Sequence, residues 1–173
     1  YLNERIVIKC GGHVLLDPIL LDGLIEEIAT LKKLGLAPLL IHGGGLGIKQ
    51  KLDALNIKSK FIMGLRVTNE KMIKIVEEVM IEFNKKIVLS LKKKSCKARP
   101  ITIKENNVII VEQESKKLGY VGKPKKINTN IIEDMINNDF VPIITPMGLD
   151  YNGQAYNINA DTAAGAIARN LKS

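Results

Sequence analysis

The stretches Ile6-Val7-Ile8-Lys9-Cys10-Gly11-Gly12 and Leu39-Leu40-Ile41-His42-Gly43-Gly44-Gly45 decide the fold of this chain. In each, an aliphatic, β-branched run ends in glycines. That is the pattern of a buried parallel strand whose C-terminal exit brings backbone N–H groups close to an anion before a helix begins. Lys9 adds a positive charge beside the first turn. A single glycine turn after a strand is common in α/β proteins, but two at successive strand ends, one with a lysine in its strand, point to a phosphate-directed site. No GxxxxGK[ST] segment occurs, which excludes a P-loop, and Gly43-Gly44-Gly45 lacks the GxGxxG spacing of a dinucleotide fold.

Working outward, Asp17-Pro18 reads as an N-cap followed by proline at the first helical position. Leu20, Leu21, Leu24, Ile25, Ile28 and Leu31 then recur at helical spacing, and Gly35 supplies the stop. Pro38 to Ile41 is the next strand, parallel to the first through a right-handed crossover. Gly45 opens a short helix carrying Ile48, Leu52 and Leu55, and Lys58 to Thr68, broken at Met63-Gly64, reads as a hairpin projecting from the sheet top.

Asn69 to Lys92 reads as a long helix whose charges form one narrow stripe. Its apolar arc is wider than one sheet face covers, which means either a deeply buried helix or one that also meets a partner subunit; the expectation is the second, with Val79, Met80 or Phe83 covered in a homodimer through this helix. Short strands are expected over Pro100 to Lys104, Val108 to Glu112 and Tyr120 to Lys125. Thr129 is read as the cap of a further helix, Phe140 to Thr145 as a buried strand, and Met147 to Tyr156 as a hairpin turning at Asn152-Gly153. Asp161 is read as the N-cap of an alanine-rich helix through Leu171, after which no strand follows and the α/β alternation is unfinished.

The 173 residues, 46% of them hydrophobic, fit one domain with a real core. Cys10 and Cys96 are too few for a disulfide framework and read as reduced thiols, and no metal-ligand spacing involves them. No apolar run is long enough for a bilayer span and no secretory signal opens the chain, so the expectation is a soluble, cytoplasmic protein without membrane partners. The net charge of +8 invites a nucleic-acid reading, but aromatic content of 4% without tryptophan leaves few stacking platforms, and a solvated basic face is the better account. The start at Tyr1 suggests trimming at that end.

Five segments in order, Lys9-Cys10-Gly11-Gly12, His42-Gly43-Gly44-Gly45, Gly64-Leu65-Arg66-Val67-Thr68, Leu118-Gly119-Tyr120-Val121-Gly122 and Tyr156-Asn157-Ile158-Asn159-Ala160-Asp161, resemble the motif set of the acetylglutamate kinases within the amino acid kinase family. The resemblance covers nearly the whole chain. It implies an α/β fold, a three-layer αβα sandwich around a mainly parallel sheet, that transfers the γ-phosphoryl of ATP, with Mg²⁺, to the side-chain carboxylate of N-acetyl-L-glutamate in arginine biosynthesis. Two anionic reactants need charge neutralisation and in-line positioning more than covalent help. By this resemblance Lys9 stabilises charge on the transferring group and Asp161 orients Lys9. Gly11, Gly12 and Gly43 cradle phosphate, while Gly44, Gly45, Arg66 and Asn157 bind substrate, Arg66 as a planar fork on the α-carboxylate. Lys9 stands out without the resemblance too, because an unpaired lysine ending a buried strand calls for an anionic partner.

The chain departs from the family pattern at Ala98 to Asn107, at His13 and at Leu46. The family continues beyond the position of Ser173 into a half that carries most of the nucleotide site. The expectation is therefore an N-terminal, acetylglutamate-binding and dimerisation lobe over residues 1–173 that binds substrate without turning it over alone. The alternative is a non-catalytic amino-acid-binding regulatory domain of the same fold, as in acetylglutamate synthases, and Lys9 with Asp161 favours the kinase.

Overall fold

The computed structural model describes residues 3–171. Strands β1 (Arg5–Cys10), β2 (Ala37–His42), β5 (Ala98–Ile101) and β8 (Val141–Ile144) form one wholly parallel sheet in the order β1-β2-β8-β5. Cys10 pairs with His42, so both glycine turns leave the same sheet edge at the same level. β2 is buried along its whole length, as a central strand with covered faces requires.

Side-chain alternation along these strands sorts two cores. Leu40, Ile143 and Ala98 face a layer made by α2 (Pro18–Lys33), α3 (Gly45–Ala54) and α4 (Glu70–Lys93). Leu39, Ile41, Ile144 and Ile101 face α5 (Thr129–Asn137), α6 (Ala160–Leu171) and a second four-stranded sheet. That sheet runs β10-β9-β6-β7, from β6 (Ile109–Gln113), β7 (Gly122–Ile127), β9 (Met147–Leu149) and β10 (Ala155–Asn157). The result is the expected α/β sandwich around a parallel sheet, with part of one outer layer made of strands. Between Ile110↔Lys126 and Val111↔Pro124 the register slips, leaving Lys125 unopposed, a bulge next to the proline that cannot donate to the ladder.

Asp17 caps α2, its carboxylate accepting from the N–H groups of Ile19 and Leu20, with Pro18 at the first helical position. A short helix, α1 (Gly12–Leu16), fills what reads as a simple turn in the sequence. The hairpin is β3 (Phe61–Ile62) and β4 (Leu65–Arg66), turning through Met63 and Gly64, both at positive φ.

Three expectations are corrected. Asn159, not Asp161, accepts from Thr162 N–H at 3.0 Å at the start of α6, so Asp161 sits inside the first turn with its carboxylate free of capping. Thr129 is the first residue of α5 and does not cap it. Val79, Met80 and Phe83 are 7%, 3% and 8% exposed within the single chain, because α4 packs against α2, α3, β5, β8 and β10 together. The wide arc is thus covered internally, and Leu89, 48% exposed, is the large apolar residue that α4 leaves at the surface. Among the described residues no helix is long and apolar enough to cross a membrane.

Candidate functional site

The two glycine turns and three further segments close around one pocket of about 230 Å³. It brings together Lys9, Gly11, Gly12, Gly43, Gly44, Gly45, Arg66, Asn157 and Asp161, every site residue expected from the sequence. Ile48, Phe61, Leu65, Met80, Val121 and Ile158 complete its apolar walls.

Gly44 ends the extended backbone and precedes α3, the site of an unpaired N–H cluster with positive partial charge. A Cβ at Gly44 would fall 2.7 Å from Met80 Sδ, so the turn lies close against α4 and a side chain there would have to displace the end of Met80. Among the described residues, Gly11, Gly12, Gly44 and Gly45 donate their N–H groups to no protein acceptor. Gly43 differs: its N–H donates to the Cys10 carbonyl at 2.8 Å, so it clamps the two turns together and offers no donor to a ligand.

Lys9 lies 3.2 Å from Asp161, the lysine side chain 35% and the aspartate 77% exposed. The reading of an unpaired buried lysine is corrected accordingly: Lys9 stands at the open end of β1 with a carboxylate that holds its ammonium at the pocket mouth. Its neighbour Cys10 is no nucleophile, since burial pushes the thiol up to about 11.

Arg66 is the buried cation of the site. Its Nη2 donates to the Gly45 carbonyl at 3.1 Å, Nη1 donates to Ser59 Oγ, and its guanidinium lies 4.7 Å from the centroid of the Phe61 ring. Burial lowers its pKa from the ordinary arginine value, and the field of Asp53 opposes that shift. Asp53 itself is paired with Lys49 at 2.6 Å, and among the described residues Arg66 forms no ion pair. A desolvated guanidinium with unspent donors in a pocket is a binding group for a carboxylate or phosphate.

Leu118-Gly119-Tyr120-Val121-Gly122 is the clasp that makes these parts converge. Thr68 N–H donates to Leu118 O at 2.9 Å and Tyr120 N–H to Thr68 O at 2.8 Å, which fixes the base of the Arg66 hairpin. Asn157 N–H donates to Tyr120 O at 2.9 Å, which fixes the strand bearing Asn157. Gly119 has φ of 71°, and a Cβ there would lie 2.3 Å from Thr68 O. Only glycine fits that conformation and contact.

Sequence reading did not find Ser59, Phe61, Ile48 or Met80. Phe61 carried a signal, an aromatic directly opposite Arg66 in a two-stranded hairpin; Ser59 enters as the hydroxyl partner of Arg66 just before that hairpin, and Ile48 and Met80 join through tertiary packing. Among the described residues no three His, Cys, Asp or Glu side chains gather to hold a metal ion.

The amino acid kinase family profile matches residues 4–173. An acetylglutamate kinase of Pelagibacter ubique is 54% identical over 173 residues, all of this chain and 60% of that relative, so the chain spans about 60% of the relative's length. The crystal structure of smu.665 from Streptococcus mutans UA159 superposes with a TM-score of 0.91 at 28% identity, covering 98% of this chain and 69% of that one. The N-acetylglutamate synthase of Neisseria gonorrhoeae, in complex with coenzyme A and N-acetyl-glutamate, shares the fold with a TM-score of 0.86 at 21% identity, covering 98% of this chain and 40% of that one.

Proposed function

The chain belongs to the amino acid kinase family, and from that premise we propose that it is the acetylglutamate-binding, N-terminal lobe of a cytoplasmic enzyme that phosphorylates the side-chain carboxylate of N-acetyl-L-glutamate with ATP in arginine biosynthesis. The observation that carries this reading is Arg66: a buried guanidinium, without a carboxylate of its own, in a pocket that Lys9 and the Gly11, Gly12, Gly44 and Gly45 turns also line. A small dicarboxylate meets both ends. Arg66 and Asn157 take the α-carboxylate, and the side-chain carboxylate lies toward the glycine turns.

Acceptor and phosphoryl donor are both anionic, so the barrier includes their mutual repulsion. Lys9, oriented by Asp161, places a cation where charge develops on the transferring group, and the glycine N–H groups hold the reacting oxygens in line. Mg²⁺, when present with the nucleotide, supplies further charge neutralisation on the phosphates; the chain's own acidic group at the pocket, Asp161, is engaged with Lys9. The regulatory-domain reading has less support, since binding an amino acid does not call for a lysine–aspartate pair at the phosphoryl side.

The same reading includes a homodimer through the helix of residues 69–92. Its support is the exposed Leu89, on a groove of about 430 Å³ between α4 and β5 with the segment after it, where Ile81, Val88 and Pro100 are rimmed by Lys85, Lys92 and Lys104.

Calorimetric titration tests the substrate assignment. N-acetyl-L-glutamate is expected to bind and L-arginine not to; the reverse order would support the regulatory domain and overturn the kinase lobe.

A further inference from the structure

The Gly43–Gly44 peptide is held from behind by a side chain that the proposed chemistry leaves unused. His42 ends β2, is 0% exposed, and its Nδ1 lies 2.9 Å from the Gly43 carbonyl oxygen. A carbonyl oxygen only accepts, so this contact places the ring proton on Nδ1 and leaves a lone pair on Nε2. Nε2 faces Asn84 Nδ2 across 3.5 Å, and the same amide donates to the Ile143 carbonyl at 2.7 Å. Asn84 is 1% exposed, so its two amide hydrogens are placed, one on β8 and one on the histidine. Burial lowers the His42 pKa to about 4, which keeps the ring neutral near pH 7.

The Gly43 carbonyl and the Gly44 N–H belong to one planar trans peptide and point in opposite directions. With the carbonyl turned inward onto His42, the Gly44 N–H is turned away from it, and Gly44 lines the pocket. We propose that His42, oriented by Asn84, is a positioning residue that holds the Gly44 N–H toward the substrate carboxylate and keeps the Gly43 carbonyl out of the anion site. A flipped peptide would put a partial negative charge where the anion sits. Successive glycines impose little intrinsic preference between the two orientations; backbone bonds hold the Gly43 N–H and the Gly44 carbonyl on either side, and His42 is the side chain that holds the Gly43 carbonyl itself. The identity of the anion rests on the kinase reading above; the orientation of the peptide does not.

Two measurements test this. In the ligand-free protein, ¹⁵N NMR of the His42 ring is expected to show a protonated Nδ1 and a bare Nε2; the opposite tautomer overturns the proposal whatever the substrate is. His42→Phe then removes the donor while keeping a ring, and His42→Asn restores a donor at the position of Nδ1 while leaving a gap. The dissociation constant for N-acetyl-L-glutamate is expected to rise roughly ten-fold or more in His42→Phe. It should recover most of the way in His42→Asn, even though His42→Asn melts lower. Affinity unchanged in His42→Phe, or affinity that simply follows melting temperature, overturns the proposal. Where His42→Phe does not fold, Asn84→Leu serves: loss of the Nδ1–H tautomer preference with weakened binding supports the positioning role, and an unchanged tautomer and affinity overturn it. A wild-type protein that binds no N-acetyl-L-glutamate contradicts the substrate reading and leaves the tautomer to decide the peptide's orientation.

Discussion

Arg66 donates to the Gly45 carbonyl across 3.1 Å, which latches the hairpin bearing the buried cation onto the first residue of α3. Binding group and glycine turn are therefore one rigid unit. Arg66→Ala removes a charge-assisted hydrogen-bonding partner from the α-carboxylate and should weaken N-acetyl-L-glutamate by about 2–3 kcal/mol. In the whole protein that carries this chain, ATP affinity should barely change. Calorimetry showing both ligands equally affected, or neither, would contradict the assignment.

Lys9→Ala should act on turnover more than on binding. A cation aimed at developing charge is worth on the order of 10²–10³ in kcat, while KM for N-acetyl-L-glutamate should move only a few-fold. Asp161→Asn, which leaves the lysine present but loosely held, should fall between wild type and Lys9→Ala. Steady-state kinetics on the whole protein check this, and a loss confined to KM would make Lys9 a substrate-binding group.

Gly119→Ala tests the clasp. The φ of 71° alone costs a residue with a Cβ roughly 1–3 kcal/mol, and the added carbon meets Thr68 O at 2.3 Å. Urea unfolding should show a loss at the upper end of that range or beyond, together with weaker substrate binding as the hairpin base shifts. Wild-type stability would mean that the clasp does not constrain the hairpin.

His42 makes stability depend on pH. Its folded pKa, lowered to about 4, lies below the ordinary 6.5, so between these values the unfolded chain binds more protons than the folded one. The contribution is complete above pH 6.5, is lost progressively as pH falls toward 4, and amounts to on the order of 3 kcal/mol. Unfolding curves recorded from pH 7 to 4 should show this slope flattened in His42→Asn. An equal slope in both proteins would assign it to other groups.

The glycine turns, the capped helix at Asp17-Pro18 and both hairpins were legible because their signals are local: strand runs, cap residues and turn residues lie within a few positions of one another. Asp161 shows the limit of that reading. Asn159 and Asp161 are both good caps, and only the fold decides that Asn159 caps while the Asp161 carboxylate meets a lysine 152 positions away in sequence. The arc of α4 shows another, because periodicity counts apolar residues without knowing how many neighbours cover them. Val79, Met80 and Phe83 are covered within the chain. The clasp at Gly119 was visible as a motif, but its mechanical role emerges from the hydrogen bonds to Thr68 and Asn157.

Association should run through the remaining exposed face of α4. Light scattering at micromolar concentration is expected to give a dimer mass, and Leu89→Glu, which replaces the exposed apolar side chain of that groove with a carboxylate, should shift it to monomer. A wild-type monomer would contradict the dimer.

Trapping of the product tests phosphoryl transfer to the carboxylate. An acyl phosphate reacts with hydroxylamine to give a hydroxamate. The whole protein carrying this chain should therefore form hydroxamate from N-acetyl-L-glutamate only when ATP and Mg²⁺ are supplied, with the yield collapsing in Lys9→Ala. No hydroxamate from N-acetyl-L-glutamate, in a folded protein that binds ATP, would contradict the claim that this pocket presents a carboxylate for phosphorylation.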